Sequence, residues 1–344
     1  MKSLDMWRIF RNFAGLFLIF MWKIYHQSIP ECISALTQSP AMLRLQDVGM
    51  HCGCEYTAFP MFEGQRKYSR FDHSVGCALI VWHYTEDVRQ AVAALLHDIA
   101  TPTFAHVIDF LNGDHMRQES TEVGTREIIE QDDQIMALLK EYHLGVDEVA
   151  DYHQYPIADN DSPRLSADRL EYTLSNIINY HIGDEASVRG WYENLVVGRN
   201  EEDETELMFS DLRAAEGFAL ASLKTSYIYI ADEDRFAMQT LAELLKRHIA
   251  RGVLSRQDLY LTEQSVIGKL ATDREAWEDW NRYRALHLIW RNSDHPQAKV
   301  IHSKRRYIDP YVQGQGRVST LSAEYAEQLK RFLKMDLEEP LWGE

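Results

Sequence analysis

The sequence predicts a mainly α protein, and three observations carry that expectation. Apolar residues recur at helical spacing through most of the 344 residues. Helix-start signals stand in front of several of those runs. Alternating, β-branched stretches are scarce. The hydrophobic content of 45% is that of a folded chain, which excludes disordered and fibrous classes.

From the N-terminus, Phe13–Trp22 (FAGLFLIFMW) is an apolar run behind Lys2, Arg8 and Arg11. It is too short to span a bilayer, which takes roughly 20 residues. No small-x-small cleavage site follows it. The reading is a helix or arm over residues 1–24 that packs on the body or on a partner. A signal peptide and a membrane-surface anchor are the alternatives. No other stretch approaches a membrane-crossing length.

Arg70-Phe71-Asp72-His73 opens a helix. Thr85-Glu86-Asp87 offers an N-cap hydroxyl and two first-turn acids, ahead of Val88, Val92, Leu95, Leu96 and Ile99. Pro102 ends that helix. Another runs from about Ile135 to Tyr142. One starting near Ser166 carries Leu170, Leu174, Ile177 and Ile178 on one face. Further helices are expected over Asp211–Ser226, Asp234–Arg251, Thr262–Leu270, Arg274–Leu288 and Ser322–Met335. Asn200–Glu206 (NEEDETE) reads as a solvated acidic stretch and a candidate boundary. Val300–Val318, with Pro310, Gly314 and Gly316, reads as the one short strand region. The chain then divides into the arm at 1–24, a core at 25–200 and a helical and mixed extension at 201–344.

Charge narrows the partners. Lys and Arg number 36 and Asp and Glu 53, so 36 − 53 = −17. That field opposes a long nucleic acid. A phosphate ligand needs a local metal ion or a few arginines aimed into a pocket. Cys32, Cys52, Cys54 and Cys77 are too few for a disulfide scaffold, and no second pair completes a structural zinc site. They read as reduced, buried thiols in a cytoplasmic protein.

The chemistry lies in the histidines. His97-Asp98 ends an amphipathic helix, His73 sits near the start of another, and Asp168 lies in Ser166-Ala167-Asp168-Arg169-Leu170-Glu171-Tyr172. Three helices could bring His73, His97, Asp98 and Asp168 together. Two imidazoles and two carboxylates suit a divalent ion and leave room for water and a substrate oxygen. Such an ion polarises a phosphoryl oxygen and activates water.

These segments resemble the HD-domain metal-dependent phosphohydrolases, whose ligand pattern is H…HD…D. They look most like the branch that includes the SAM-and-HD-domain deoxynucleoside triphosphate triphosphohydrolases. The resemblance covers Leu43–Gly49 (LRLQDVG), Phe59-Pro60, YSRFDHSVG (Tyr68–Gly76), ALLHDIATPTFAH (Ala94–His106), SADRLEY (Ser166–Tyr172), DLYLTEQSVIGKL (Asp258–Leu270) and RRYIDP (Arg305–Pro310). It implies an HD-domain helical core over 25–200. It also implies a divalent ion (Mn, Fe, Zn, Ni or Mg) on His73, His97, Asp98 and Asp168. Arg70, Arg169 and Tyr172 stand where relatives contact phosphate or sugar, and a guanidinium fork suits phosphate oxygens. His51 and Cys52 occupy the loop where relatives read the sugar, and Cys52-Gly53-Cys54 reads as a tight loop lining the pocket.

Two departures from the family pattern bear on catalysis. Thr101 stands where HDxGHxPFxH has its second histidine, and Thr121 replaces the histidine of the next motif. Threonine cannot donate a proton near neutral pH. Asp109 keeps its family position, and His106 or His115 could substitute for a lost imidazole. His153 and His181 would supply extra ligands in a two-metal variant. Trp277, Trp280 and Trp290 read as core or interface packing. The expected activity is hydrolysis of a nucleotide or related phosphate by a homo-oligomer. The alternative is a regulatory nucleotide binder that has lost turnover.

Overall fold

The computed structural model describes residues 21–113, 124–292 and 294–344. The architecture is mainly α, as expected. Most of the apolar N-terminal run, with His115 and Thr121, lies outside the described residues. Its end does not: residues 21–25 are helical, and Met21, Trp22, Ile24 and Tyr25 are buried in the main core. Among the described residues no helix is long and apolar enough to cross a membrane.

The central helix is Arg70–Thr85. Ser69 and Asp72 form a reciprocal capping box at its start, and every residue from Arg70 to Val81 is buried. A helix with so little solvent contact must find partners all round. It packs against Val88–Leu96 and Ala167–Asn179. The Ser166 side chain caps the Ala167 helix by accepting from the Arg169 amide.

Local chemistry moves some boundaries. Thr85 ends a helix rather than starting one, because Glu86 adopts a left-handed conformation and Asp87 is the N-cap of the next. That next helix stops at Leu96, ahead of Pro102, so His97 and Asp98 sit on the turn that follows it. Leu212–Ile228, Asp232–Ala250, Glu263–Leu270, Arg274–Arg284 and Ala323–Leu333 lie where helices were expected.

The strand expectation needs correction. Leu195–Arg199 pairs antiparallel with Thr205–Phe209, and Phe209 pairs with Val312 in the same sheet. Only Tyr311–Val312 and Gly316–Arg317 within 300–318 are strand. A second sheet joins Ile289–Arg291 to Leu341–Gly343. The acidic stretch is the turn of the first hairpin, and cations hold it down. Arg317 bonds Glu201 and the fully buried Glu206, and Arg164 pairs with Glu202 and Glu204.

Two apolar clusters result. One centres on the Arg70 helix and also takes Tyr325 and Phe332 from the C-terminal helix. The other gathers Phe59, Phe104 and Phe110 around Leu241, Leu245 and Trp280. Trp280 is core, whereas Trp277 and Trp290 are exposed. All four cysteines are free and buried.

Candidate metal centre

His73, His97, Asp98 and Asp168 converge on one point. His73 Nε2 lies 2.9 Å from Asp168 Oδ1 and 3.9 Å from Asp98 Oδ2. His97 Nε2 lies 3.5 Å from Asp98 Oδ2 and 3.8 Å from Asp168 Oδ1. Both rings are oriented from behind. His97 Nδ1–H donates to the Ala94 carbonyl at 2.7 Å, and His73 Nδ1–H donates to Glu171 Oε2 at 2.6 Å. Those bonds fix the tautomers and turn both Nε2 atoms toward the carboxylates, which is how metal-ligating histidines are held.

The donor set asks for a cation. His73 has a carboxylate at each ring nitrogen, so something positive must sit between Nε2 and Asp168. Burial alone would push the His73 imidazole down, yet Cys77, Asp168 and Glu171 hold it well above its usual range. Burial also works against the Asp98 charge, but Arg70, His97 and His73 hold that carboxyl below the usual range. A divalent ion satisfies the same four groups, and the residues fit it. Cys77 Sγ, rather than an Asp98 oxygen, groups with His73, His97 and Asp168, the four donor atoms lying within 4.8 Å of one another. It is 3.6 Å from both ring nitrogens of His73, hence over the face of the ring rather than along the Nε2 lone pair. Asp98 is the better fourth donor.

Several groups position this cluster. Glu171 accepts from Tyr68, from Ser175 at 2.9 Å and from Tyr25 at 3.4 Å. Gly76 makes room for it, since a Cβ there would lie 2.6 Å from Glu171 Cγ. Arg70 Nη1 donates to Asp98 Oδ2 at 2.9 Å, and Thr101 donates to Asp98 Oδ1 at 2.7 Å. Thr101 therefore steadies a ligand where the resemblance expects an imidazole. Arg44 donates to Ile99 O at 2.9 Å and Thr101 O at 2.8 Å, pinning the His97-Asp98 turn.

The cluster opens into a cavity of about 740 Å³. Arg70, Arg169, Tyr172, His51, Cys52 and His106 all line it. Arg169 is already engaged: its guanidinium meets Asp159 at 2.9 Å, the Arg164 carbonyl at 2.7 Å and Asn160. His51 is buried and pushed down to about 4, first by desolvation. Asp109 is fully buried beneath His106. His153 lines the cavity, but among the described residues neither it nor His181 joins the donor cluster. Two lining turns hold non-glycine residues in the left-handed region, Cys52 in one and Phe104 and Ala105 in the other. The second turn delivers His106.

The sequence reading gave no site role to Glu171, Tyr68, Gly76 or Arg44, nor to Lys304, Arg305, Arg306 and Asp234 in the cavity wall. For Glu171 a signal existed, because it lies one helical turn beyond Asp168 and shares its face. Among the described lining residues, Arg70, Arg169, Lys304, Arg305 and Arg306 face Asp98, Asp159, Asp161, Asp168 and Asp234, and burial pushes the Asp234 carboxyl up to about 8. A divalent ion held there would add positive charge beside the carboxylates and so favour a phosphate ligand.

A buried His/Asp cluster on the facing ends of packed helices defines a helical metal-site domain. Residues 70–186 match the HD domain, and the chain carries that domain. It is similar to the Bacillus subtilis protein described as Uncharacterized protein YdhJ, at 25% identity over 305 residues, 84% of this chain and 86% of that one. It is also similar to Metal-dependent phosphohydrolase cns2 of Cordyceps militaris, at 27% identity over 149 residues, 42% of this chain and 40% of that protein. A solved hypothetical protein from Aquifex aeolicus shares the fold, with a TM-score of 0.60 over 92% of each chain at 19% identity.

Proposed function

We propose that this protein is a metal-dependent phosphohydrolase that cleaves a nucleotide or a related small phosphate. One observation carries the reading: two imidazoles, each with Nδ1–H tied to the protein, turn Nε2 toward Asp98 and Asp168. A divalent ion held there supplies Lewis acidity toward a phosphoryl oxygen and an activated water. His73, His97, Asp98 and Asp168 are the residues that would hold it. Arg70 steadies Asp98 and lends positive charge at the same spot, where charge builds on the phosphoryl group. Tyr172 and His51 border the space left for the rest of the substrate. The similarity to a protein named as a metal-dependent phosphohydrolase agrees with this chemistry.

The test is metal analysis of His97→Ala together with phosphate release from a nucleotide panel. The expected result is loss of bound metal and a rate at least about 1,000-fold lower, since Lewis acid and activated water go together. Undiminished hydrolysis would falsify the assignment. Product mass sets the finer reaction, because a triphosphohydrolase yields nucleoside and intact triphosphate.

A second reading is a regulatory binder with little turnover. Thr101 motivates it, because its hydroxyl is spent on Asp98 and cannot serve as an acid. A nucleotide that raises the melting temperature and stays intact for hours would favour that reading. Assembly into a homo-oligomer and a cytoplasmic location belong to the same proposal, and light scattering checks the first.

A further inference from the structure

A phosphate needs a guanidinium that is aimed at the cavity, and Arg169 is committed to Asp159, Asn160 and the Arg164 carbonyl. Arg306 reaches the cavity from a different part of the chain. Its segment, 301–309, is held at both ends. The Ile301 carbonyl accepts from Arg235, and Ser303 donates to the Tyr229 carbonyl at 3.3 Å. The Asp309 amide donates to Pro163 O at 2.9 Å, and Tyr325 donates to Ile308 O at 2.6 Å. Arg305 is drawn to the Met335 carbonyl at 2.5 Å. Arg306 remains in the cavity wall.

Arg306 Nη2 lies 3.5 Å from His106 Nε2. His106 Nδ1–H donates to Asp109 Oδ2 at 2.9 Å, so Nε2 presents a lone pair to the guanidinium. Burial first, then the Arg306 and Arg70 charges, push His106 down to about 4. A neutral imidazole accepts; it has no proton to give from Nε2. Tyr172, Tyr229 and Asp234 also feel the Arg306 charge, which places the guanidinium among three further lining residues.

We propose that Arg306, steered by the His106–Asp109 pair, is the guanidinium that binds the phosphoryl oxygens of the substrate, and that His106 is a positioning residue. This rests on the phosphohydrolase reading for its substrate, but not for its binding test. The ligand chemistry is a tetrahedral dianion, whose paired oxygens match the planar fork.

Two readouts test it: calorimetric binding of inorganic phosphate to the Mn-loaded protein, and phosphate release from a nucleotide panel. Arg306→Ala is expected to weaken phosphate binding at least about tenfold and to lower kcat/KM at least about 100-fold, with metal content unchanged. Arg306→Lys keeps the charge without the fork and is expected to lie between. His106→Gln can still accept from Arg306, so both readouts should stay within about fivefold of the parent, whereas His106→Leu should fall toward Arg306→Ala. Unaltered phosphate binding in Arg306→Ala overturns the proposal. A His106→Gln protein as inactive as His106→Leu also overturns it, because His106 would then be moving a proton. Parent protein that binds phosphate through Arg306 yet hydrolyses nothing sinks the phosphohydrolase reading and leaves this one standing.

Discussion

The two walls of the cavity are built on opposite plans. On one wall, His73, His97, Asp98 and Asp168 come from packed helical elements, and His73, His97 and Asp98 are each held by a further protein group. On the other, Asp234 stands in the first turn of a helix, and Arg306 lies on an extended segment anchored at its ends. The first wall falls within residues 70–186 of the HD domain, and the second lies outside them. On the proposed roles, ion holding and the Arg306 grip fall on different stretches of chain. Mutations should separate them.

The sharpest way to break that separation is at Glu171. Glu171→Gln keeps the shape but weakens the grip on His73 Nδ1–H. Metal affinity, read by competition with a chelator, should fall roughly 10- to 100-fold. Asp234→Asn should leave it unchanged. A far-wall variant that strips metal as effectively as Glu171→Gln would erase the distinction.

Gly76→Ala is the next in size. The added Cβ would meet Glu171 Cγ at 2.6 Å and Oε1 at 2.7 Å inside a buried helix contact. Overpacking of this kind costs about 1–3 kcal/mol, readable as a lower urea midpoint. Weaker metal binding should accompany it. Destabilisation without any change in metal affinity would show that Glu171 is not the atom displaced.

The smallest effect is on pH dependence, and it belongs to the far wall. Burial first, then Glu233, raises the Asp234 carboxyl from 3.8 to about 8, against the pull of Arg306. Folded and unfolded chains both carry this proton at low pH. As pH rises from about 4 toward 8 the unfolded chain loses it first, so stability declines across that window. Asp234→Asn should flatten the decline in a series of denaturation midpoints. Part of the slope will persist, because burial also holds Glu55 up at about 8.

The metal wall was largely legible in the sequence because its information is local. RFDH, HD and SADR each place a donor at a helix start or end, where capping residues fix the register. The supporting groups were less so. Arg44 binds carbonyls of residues 99 and 101, and Tyr68 reaches Glu171 across 103 positions. Such partners follow from packing, which periodicity does not encode. The β-hairpin was hidden for another reason. Its turn is acidic enough to read as solvated, and its neutralising arginines, Arg164 and Arg317, lie far off in sequence. The strand length expected over 300–318 failed because that segment makes mainly side-chain and end contacts rather than a ladder.

The separation of the walls also has a meaning in time. The last metal donor is Asp168 and the proposed phosphate grip is Arg306, so 306 − 168 = 138 residues must still be made once the donors exist. At roughly 5–20 residues per second that interval is about 7–28 s. During synthesis, all four metal donors are in the chain well before Arg306 is, although the core around them is completed only by Tyr325 and Phe332.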